Sequence, residues 1–242
     1  MAGHSKWAKV KRFKGALDVK RGRIFAKLAK EIAIAAKIAG GDPDLNPRLR
    51  MVLFKCRGAN MPSENIDRAI KKGTGGGEVA NFEDLTYEVY GPHGVALLVE
   101  MSTDNRNRTA ADIRTILAKT GGTLATAGSV SRLFQRKGQM IISRSAAKED
   151  QLMEIALEAG AEDFKADEDS YEILTEPSNF EQVHKEIEAK GIKCDAAEVT
   201  SLPTLIVPLS EPGAIEAVNK LIDVLEDHDD VKDVYCNAQF SE

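Results

Sequence analysis

Five residues, Gly73-Thr74-Gly75-Gly76-Gly77, separate two kinds of sequence pattern in this chain of 242 residues. Before them, apolar residues recur with the period of a helix, and after them short alternating stretches predict strands. Because glycine-rich runs interrupt secondary structure, this stretch predicts a linker and a domain boundary. A phosphate-binding loop would require Gly-Lys-Ser/Thr after the glycines, whereas Glu78-Val79 follows here. The chain is therefore predicted to have a helical domain at residues 1–77, followed by mixed α/β structure.

The segment before the glycines predicts three helices. Residues 20–39 have an amphipathic pattern, with an apolar side and a basic side, and Gly40-Gly41 end the helix. A second helix is predicted to begin at Asn46-Pro47, an N-cap residue followed by proline at the first helical position. A third is predicted to begin near Pro62 and to end at Gly73. Short loops between short helices predict a small bundle.

The segment after the glycines predicts two α/β domains. Residues 137–203 have the order strand, helix, strand, strand, helix, strand, which is that of a ferredoxin-like unit. Residues 78–136 predict a hairpin and a helix, and residues 204–242 predict one βαβ unit. Because each of these flanking segments supplies about half a sheet, we infer that residues 137–203 are inserted into a discontinuous domain, 78–136 plus 204–242. The predicted fold class is α+β, a three-helix domain followed by two small α/β domains.

Charge changes sign at the same boundary. Residues 1–77 contain 18 Lys and Arg against 6 Asp and Glu, whereas the rest of the chain contains 15 against 32. Such asymmetry indicates a polyanion-binding module attached to other domains. Nucleic acids are the expected polyanion, because lysine and arginine contacts to phosphate dominate their binding.

Other features narrow the class of protein. No apolar run approaches the roughly 18 residues that span a membrane, and the basic N-terminus lacks the apolar core of a secretory signal. Three cysteines at distant positions predict no disulfide framework and a reducing cytoplasm. The four histidines have no metal-binding spacing, and no nucleophile motif occurs. We therefore expect no metal, no cofactor and no enzymatic activity.

Candidate contacts to nucleic acid come from basic residues and one tryptophan of the helical domain. A basic N-terminal arm and the basic side of the first helix suit phosphates, and Trp7 suits stacking on a base. The alternative is a solvated basic surface, with Trp7 packed on the bundle. The candidates are Lys6, Trp7, Lys9, Lys11, Lys14, Lys20, Arg21, Arg23, Lys27, Lys30, Arg48 and Arg50.

Two of these candidates, Arg48 and Arg50, lie at the start of the second predicted helix. Positive charge at this end of a helix opposes the helix dipole, which costs stability locally. The cost indicates either an anionic partner or compensating acidic neighbours, such as Asp42 and Asp44. Both interpretations remain open.

A possible anion-binding loop joins a predicted strand to a helix at residues 103–109. Free backbone N–H groups at a helix N-terminus bind anions. The alternative is that a side chain of the loop caps the helix, with the arginines pairing across a domain interface. Both interpretations remain open. The candidate residues are Asn105, Arg106, Asn107 and Arg108.

Several segments resemble the YebC/PmpR family of bacterial proteins, and the resemblance covers the whole chain. They are Met1–Trp7, Lys20–Leu28, Gly40–Asp44, Asn46–Arg50, Ala59–Pro62, Ile66–Lys72, Tyr90–Pro92 and Thr103–Thr109. The resemblance implies a helical N-terminal domain followed by two α/β domains. It also implies nucleic-acid biology without catalysis, because family members are generally assigned as DNA-binding transcriptional regulators. A mitochondrial branch resembles translation factors acting on ribosomes.

The leading hypothesis is therefore a cytoplasmic nucleic-acid-binding regulator, specifically a DNA-binding transcriptional regulator. A ribosome-associated translation factor that binds rRNA or tRNA is the first alternative, because phosphate contacts dominate the binding of DNA and RNA alike. A protein-interaction scaffold that uses the acidic α/β domains is the second alternative. The expected partners are DNA, ribosomal RNA or the ribosome, and no membrane. The target sequence and the oligomeric state do not follow from the sequence.

Overall fold

A computed structural model describes residues 18–75 and 81–240, except for the side chains of residues 18–20. The α-helices of this part of the chain are α1 (Asp18–Ala39), α2 (Pro47–Gly58), α3 (Ser63–Thr74), α4 (Arg106–Thr120), α5 (Glu149–Glu158), α6 (Phe180–Ala189) and α7 (Pro212–Asp227). Its strands are β1 (Glu83–Tyr90), β2 (Ala96–Thr103), β3 (Thr123–Leu124), β4 (Phe134–Ser143), β5 (Asp163–Ala166), β6 (Ser170–Thr175), β7 (Ala196–Pro203), β8 (Val207–Leu209), β9 (Val231–Cys236) and β10 (Ala238–Phe240).

The described residues form two compact units, each made of two separate segments of the chain. One unit contains residues 18–75 and 136–200, and the other contains residues 81–135 and 201–240. Each has its own clusters of buried apolar side chains. The fold class predicted from the sequence, helices followed by small α/β sheets, is confirmed.

Helices α1, α2 and α3 pack around a small apolar core, in which Leu49 and Cys56 are fully buried. Asn46 fixes the turn between α1 and α2. Its side-chain oxygen accepts a hydrogen bond from the Leu49 N–H at 3.0 Å, as an N-cap does. Its amide nitrogen donates to the carbonyl oxygens of Ala35 and Gly40, both at 2.8 Å. One buried side chain therefore joins the start of α2 to the end of α1.

Gly73 belongs to α3, so the prediction of a linker is wrong for this residue. A Cβ atom on Gly73 would overlap the carbonyl oxygen of Ala33 and would lie 2.8 Å from the Cβ of Ala36. The absence of a side chain thus allows α3 to pack closely on α1. Glycine here serves helix packing, which the pattern of a glycine-rich run does not reveal.

The segment from β4 to β7 forms a four-stranded sheet in the order β5-β6-β4-β7. Strand β6 is antiparallel to both β4 and β5, with Ile142 opposite Tyr171 and Phe164 opposite Ile173. Helices α5 and α6 pack against the apolar side that carries Met140 and Ile142. This strand order is that of a ferredoxin-like unit, as predicted.

The second unit contains a sheet in the order β3-β1-β2-β9 and a separate parallel pair, β8 and β10. The predicted βαβ unit, with strands at Leu205–Leu209 and Val231–Cys236, is wrong in its second strand, because β8 lies parallel to β10 whereas β9 lies antiparallel to β2 in the other sheet. Asn237 explains the difference, because it directs the chain from one sheet to the other. Its side chain accepts from the Ala96 N–H at 2.7 Å, and its carbonyl accepts from the Val207 N–H at 2.9 Å.

Candidate nucleic-acid interface

The basic side of α1 lies, except for the side chain of Lys20, within the part of the chain that the structure describes. Arg23, Lys27 and Lys30 lie at spacings of four and three residues and therefore share one side of the helix. Arg21 and Arg23 are exposed, whereas Lys27 and Lys30 are half-buried. The remaining candidates of this segment cannot be placed: the side chain of Lys20 and the residues Lys6, Trp7, Lys9, Lys11 and Lys14 lie outside the described part of the chain.

Positive charge is concentrated in the helices α1 to α3. Residues 18–75 contain 13 Lys and Arg against 6 Asp and Glu. Residues 136–200 contain 8 against 16, and residues 81–135 with 201–240 contain 7 against 14. A polyanion is therefore attracted to the helical segment and repelled by the net charge of the other segments.

Arg50 is held within the protein by three hydrogen bonds. Its Nη1 donates to the carbonyl oxygens of Pro43, at 2.7 Å, and Asp44, at 2.9 Å. Its Nε donates to Oε1 of Glu181 in α6, also at 2.9 Å. The guanidinium thus fixes the turn before α2 and pairs with an acidic residue that is distant in sequence. Arg48, two residues earlier, is half-buried.

An aromatic contact joins α2 to α6, and the sequence analysis missed it. The ring of Phe54 meets the rings of Phe180 and His184 edge-on, at centroid distances of 5.4 Å and 4.9 Å. His184 is buried, and burial lowers the pKa of its imidazole, so the ring is neutral at pH 7. The signal in the sequence was a second apolar side of α2, formed by Met51 and Phe54. The three-helix domain therefore packs directly on the ferredoxin-like segment.

The loop before α4 is built around a buried carboxylate. The Oδ1 of Asn105 accepts from the Arg108 N–H at 3.1 Å and so caps the helix. Arg108 Nη2 donates to Asp104 at 2.8 Å and to Asp230 at 2.9 Å. Thr109 Oγ1 lies 2.8 Å from the same Asp230 oxygen. Two of the four candidates, Asn105 and Arg108, thus make hydrogen bonds that hold this loop and the start of α4 in place. The other two, Arg106 and Asn107, are exposed.

Two cysteines of the first unit have the properties of inert thiols. Burial raises the pKa of Cys56 to about 11 and that of Cys194 to about 12, so both are protonated at pH 7. Within residues 18–75 and 81–240, no three His, Cys, Asp or Glu side chains form a group that could hold a metal ion. In the same residues, no helix combines the length and the apolar character needed to cross a membrane.

These observations define a class of protein in which a basic helical domain precedes acidic, mixed α/β segments. Comparison with known proteins identifies the family. Residues 5–76 match the TACO1/YebC protein N-terminal domain, and residues 82–238 match the TACO1/YebC second and third domain. The chain belongs to the TACO1/YebC family, which confirms the resemblance seen in the sequence.

Curated relatives match over the full length of the chain. A probable transcriptional regulatory protein of Geobacter sp. (strain M21) is 50% identical over 242 residues, covering 100% of this chain and 97% of the relative. The probable transcriptional regulatory protein YrbC of Bacillus subtilis (strain 168) is 52% identical over 239 residues, covering 98% and 99%. The crystal structure of a conserved hypothetical protein from Aquifex aeolicus matches with a TM-score of 0.81 and 40% identity, covering 94% of each chain.

Proposed function

We propose that the protein is a transcriptional regulator that binds duplex DNA through its helical domain and acts by binding rather than by catalysis. The observation that carries the proposal is the basic side of α1, within a segment of 13 cationic against 6 anionic side chains. The names of the full-length relatives support the regulatory role. The cytoplasm is the proposed location, because no disulfide joins the three cysteines.

The length of the basic side suits several consecutive phosphates. At a rise of about 1.5 Å per residue, the segment from Arg21 to Lys30 extends about 14 Å along the helix axis. One DNA strand carries a phosphate about every 3.4 Å along the duplex axis, so about four phosphates fall within this length. In the proposal, Lys6, Lys9, Lys11 and Lys14 extend these contacts, and Trp7 stacks on a base.

Phosphate contacts position a protein on the duplex without reading its sequence. We therefore expect the helical domain to supply affinity that depends strongly on salt and only weakly on sequence. Each neutralised phosphate of duplex DNA contributes about −0.9 to the slope of log affinity against log salt concentration. Four contacts from the basic side of α1 predict a contribution of about −3.6 to that slope.

The test measures binding of full-length protein to labelled duplexes by fluorescence anisotropy over a salt series. The variant replaces Lys20, Arg23, Lys27 and Lys30 with Gln, which retains helix propensity. The matched control replaces four exposed lysines of the ferredoxin-like segment with Gln, namely Lys148, Lys185, Lys190 and Lys193. This control removes the same number of positive charges. We expect the first variant to bind more weakly with a shallower slope, and the control to resemble the parent.

Equal effects of the two variants would show that total charge, rather than the basic side of α1, governs binding. The same series with double-stranded RNA separates the proposal from its alternative. Binding of RNA that clearly exceeds binding of DNA would replace the transcriptional role with one in translation. Absence of salt-dependent binding to either duplex would reject nucleic acid as the ligand of this domain.

A further inference from the structure

A buried polar pair lies on the two central strands of the ferredoxin-like sheet, on the side away from its helices. Side chains alternate between the two sides of a strand. Met140 and Ile142 of β4 pack with α5 and α6, so Gln139 of β4 and Glu172 of β6 lie on the opposite side. Both are 1% exposed, as is Ile141, which stands opposite Glu172 in the ladder. This second side of the sheet is therefore also a buried surface.

The pair makes fewer hydrogen bonds than its oxygen atoms can accept. Gln139 Nε2 donates to Glu172 Oε1. Within the described part of the chain, Glu172 Oε2 and Gln139 Oε1 have no hydrogen-bond partner. Among the described residues, only Lys165 brings a cation within 4.0 Å of Glu172, and its Nζ lies closer to Asp163, at 3.3 Å. A separation of 4.0 Å exceeds a hydrogen bond, so two buried acceptors are left without a donor.

The chemistry of the two oxygens indicates what would complete the pair. Burying a carboxylate is unfavourable unless hydrogen bonds and an opposite charge compensate it. Burial raises the pKa of the Glu172 carboxyl, as expected where such compensation is incomplete. A carboxylate oxygen and an amide oxygen that both lack a donor suit a cation with several N–H groups. The guanidinium of arginine and the ammonium of lysine are such cations.

Residues 1–17, the N-terminal arm, supply cations of this kind. The arm contains four lysines, one arginine and no acidic residue, whereas residues 76–80 and 241–242 contain no lysine or arginine. Residues 136–200 contain 8 Lys and Arg against 16 Asp and Glu, so their net charge attracts the arm. Seventeen extended residues reach up to about 56 Å, whereas a compact unit of about 120 residues has a radius of gyration of about 14 Å. The arm is therefore long enough to reach Glu172 from the start of α1.

We propose that the N-terminal arm docks on the side of the ferredoxin-like sheet that carries Gln139 and Glu172, and that one of its cations donates to their two unpartnered oxygens. The docked arm is withheld from nucleic acid, so docking and nucleic-acid binding by the arm compete. The docking site goes beyond the proposed function and does not depend on it, whereas the competition rests on it.

Trp7 provides the test, because it belongs to the arm and is the only tryptophan of the chain. Quenching of its fluorescence by acrylamide is compared in the full-length parent, in Glu172→Gln and in the control Glu168→Gln. Glu168 is an exposed residue of the same segment, and its substitution removes the same charge. Loss of a charged hydrogen bond should lower the ratio of docked to released arm by about tenfold or more. We expect Trp7 to become more accessible in Glu172→Gln, and the control to resemble the parent.

A variant of the arm keeps the result interpretable if Glu172→Gln disturbs the sheet. Replacement of the five cations of the arm with Gln leaves every described residue unchanged, and it should expose Trp7 as Glu172→Gln does. The two changes combined should expose Trp7 no further, because both remove the same contact. Equal quenching of Trp7 in the parent, in Glu172→Gln and in the arm variant would overturn the docking site. The same increase in Glu168→Gln would show that net charge, rather than the buried pair, holds the arm.

Binding of a labelled DNA duplex tests the competition. Glu172→Gln should bind the duplex more tightly than the parent, because its arm is released, and Glu168→Gln should bind like the parent. Unchanged affinity of Glu172→Gln, together with an exposed Trp7, would reject the competition while the docking site stands. A parent that binds no nucleic acid would reject the proposed function and the competition with it, and the quenching of Trp7 would still decide whether the arm docks.

Discussion

The substitution Gly73→Ala tests the contact that joins α3 to α1. In the interior of a helix, alanine is more favourable than glycine by about 1 kcal/mol. In this structure the new Cβ would overlap the Ala33 carbonyl oxygen and would lie 2.8 Å from the Cβ of Ala36. Neither atom is the flexible end of a long side chain, so α3 as a whole must move. Overpacking of this kind costs about 1–3 kcal/mol. After the gain in helix propensity is subtracted, we expect the free energy of unfolding of the first unit to fall by up to about 2 kcal/mol.

The matched control is Gly22→Ala. Gly22 also lies within a helix, α1, but a Cβ atom at this position meets nothing within 4 Å. The same chemical change should therefore stabilise the helix by about 0.5–1 kcal/mol, because only the propensity difference acts. The two substitutions are thus expected to change stability in opposite directions.

Urea unfolding followed by circular dichroism measures both variants in the full-length chain. Hydrogen exchange assigns the change to α1 and α3, because the two units need not unfold together. If Gly73→Ala stabilised the protein as much as Gly22→Ala, the close contact between α1 and α3 at this residue would be refuted.

Two other predictions concern the contacts between the helical domain and the ferredoxin-like segment. Arg50→Ala should lower the free energy of unfolding by about 1.5–3 kcal/mol, because it removes charged hydrogen bonds to Pro43, Asp44 and Glu181. Urea denaturation measures this change. A variant as stable as the parent would contradict the stabilising role of Arg50. Burial lowers the pKa of His184 in the folded protein, whereas in the unfolded chain this imidazole has its ordinary pKa of about 6.5. The unfolded chain therefore binds more protons near and below pH 6.5, and the free energy of unfolding should fall as the pH drops from about 7.5 to about 5.5. His184→Phe keeps an aromatic ring and should reduce that fall; a pH dependence unchanged by the substitution would exclude His184 as its source.

Much of the fold could be predicted, because local pattern determines it. The period of α1 and the order of strands and helices in the ferredoxin-like segment are both visible in single stretches of sequence. The role of Gly73 could not be predicted, because the same residue suits a linker and a close helix contact, and the choice depends on Ala33 and Ala36 in another helix. Strand β10 was missed because its three residues pair only with another short strand, β8.

The net charge of the candidate site could be predicted from the sequence, but the hydrogen-bond and ion-pair partners of its side chains could not. The excess of lysine and arginine in the helical domain follows from counting residues, and helical spacing collects Arg23, Lys27 and Lys30 on one side. That Arg50 pairs with Glu181 depends on how two distant segments pack.

The connection made by Asn237 has a consequence for the order in which the chain folds during synthesis. Its side chain binds the backbone of Ala96, a residue 141 positions earlier. Strand β2 therefore obtains its neighbour β9 only after all the residues between the two strands have been made. The ferredoxin-like segment contains all of its strands by Pro203 and can form while the later residues are still being added. Until β9 emerges, one edge of β2 lacks its permanent neighbour, and edges of this kind pair readily with other chains. Completion of the second unit thus waits until β9 and Asn237 have been synthesised.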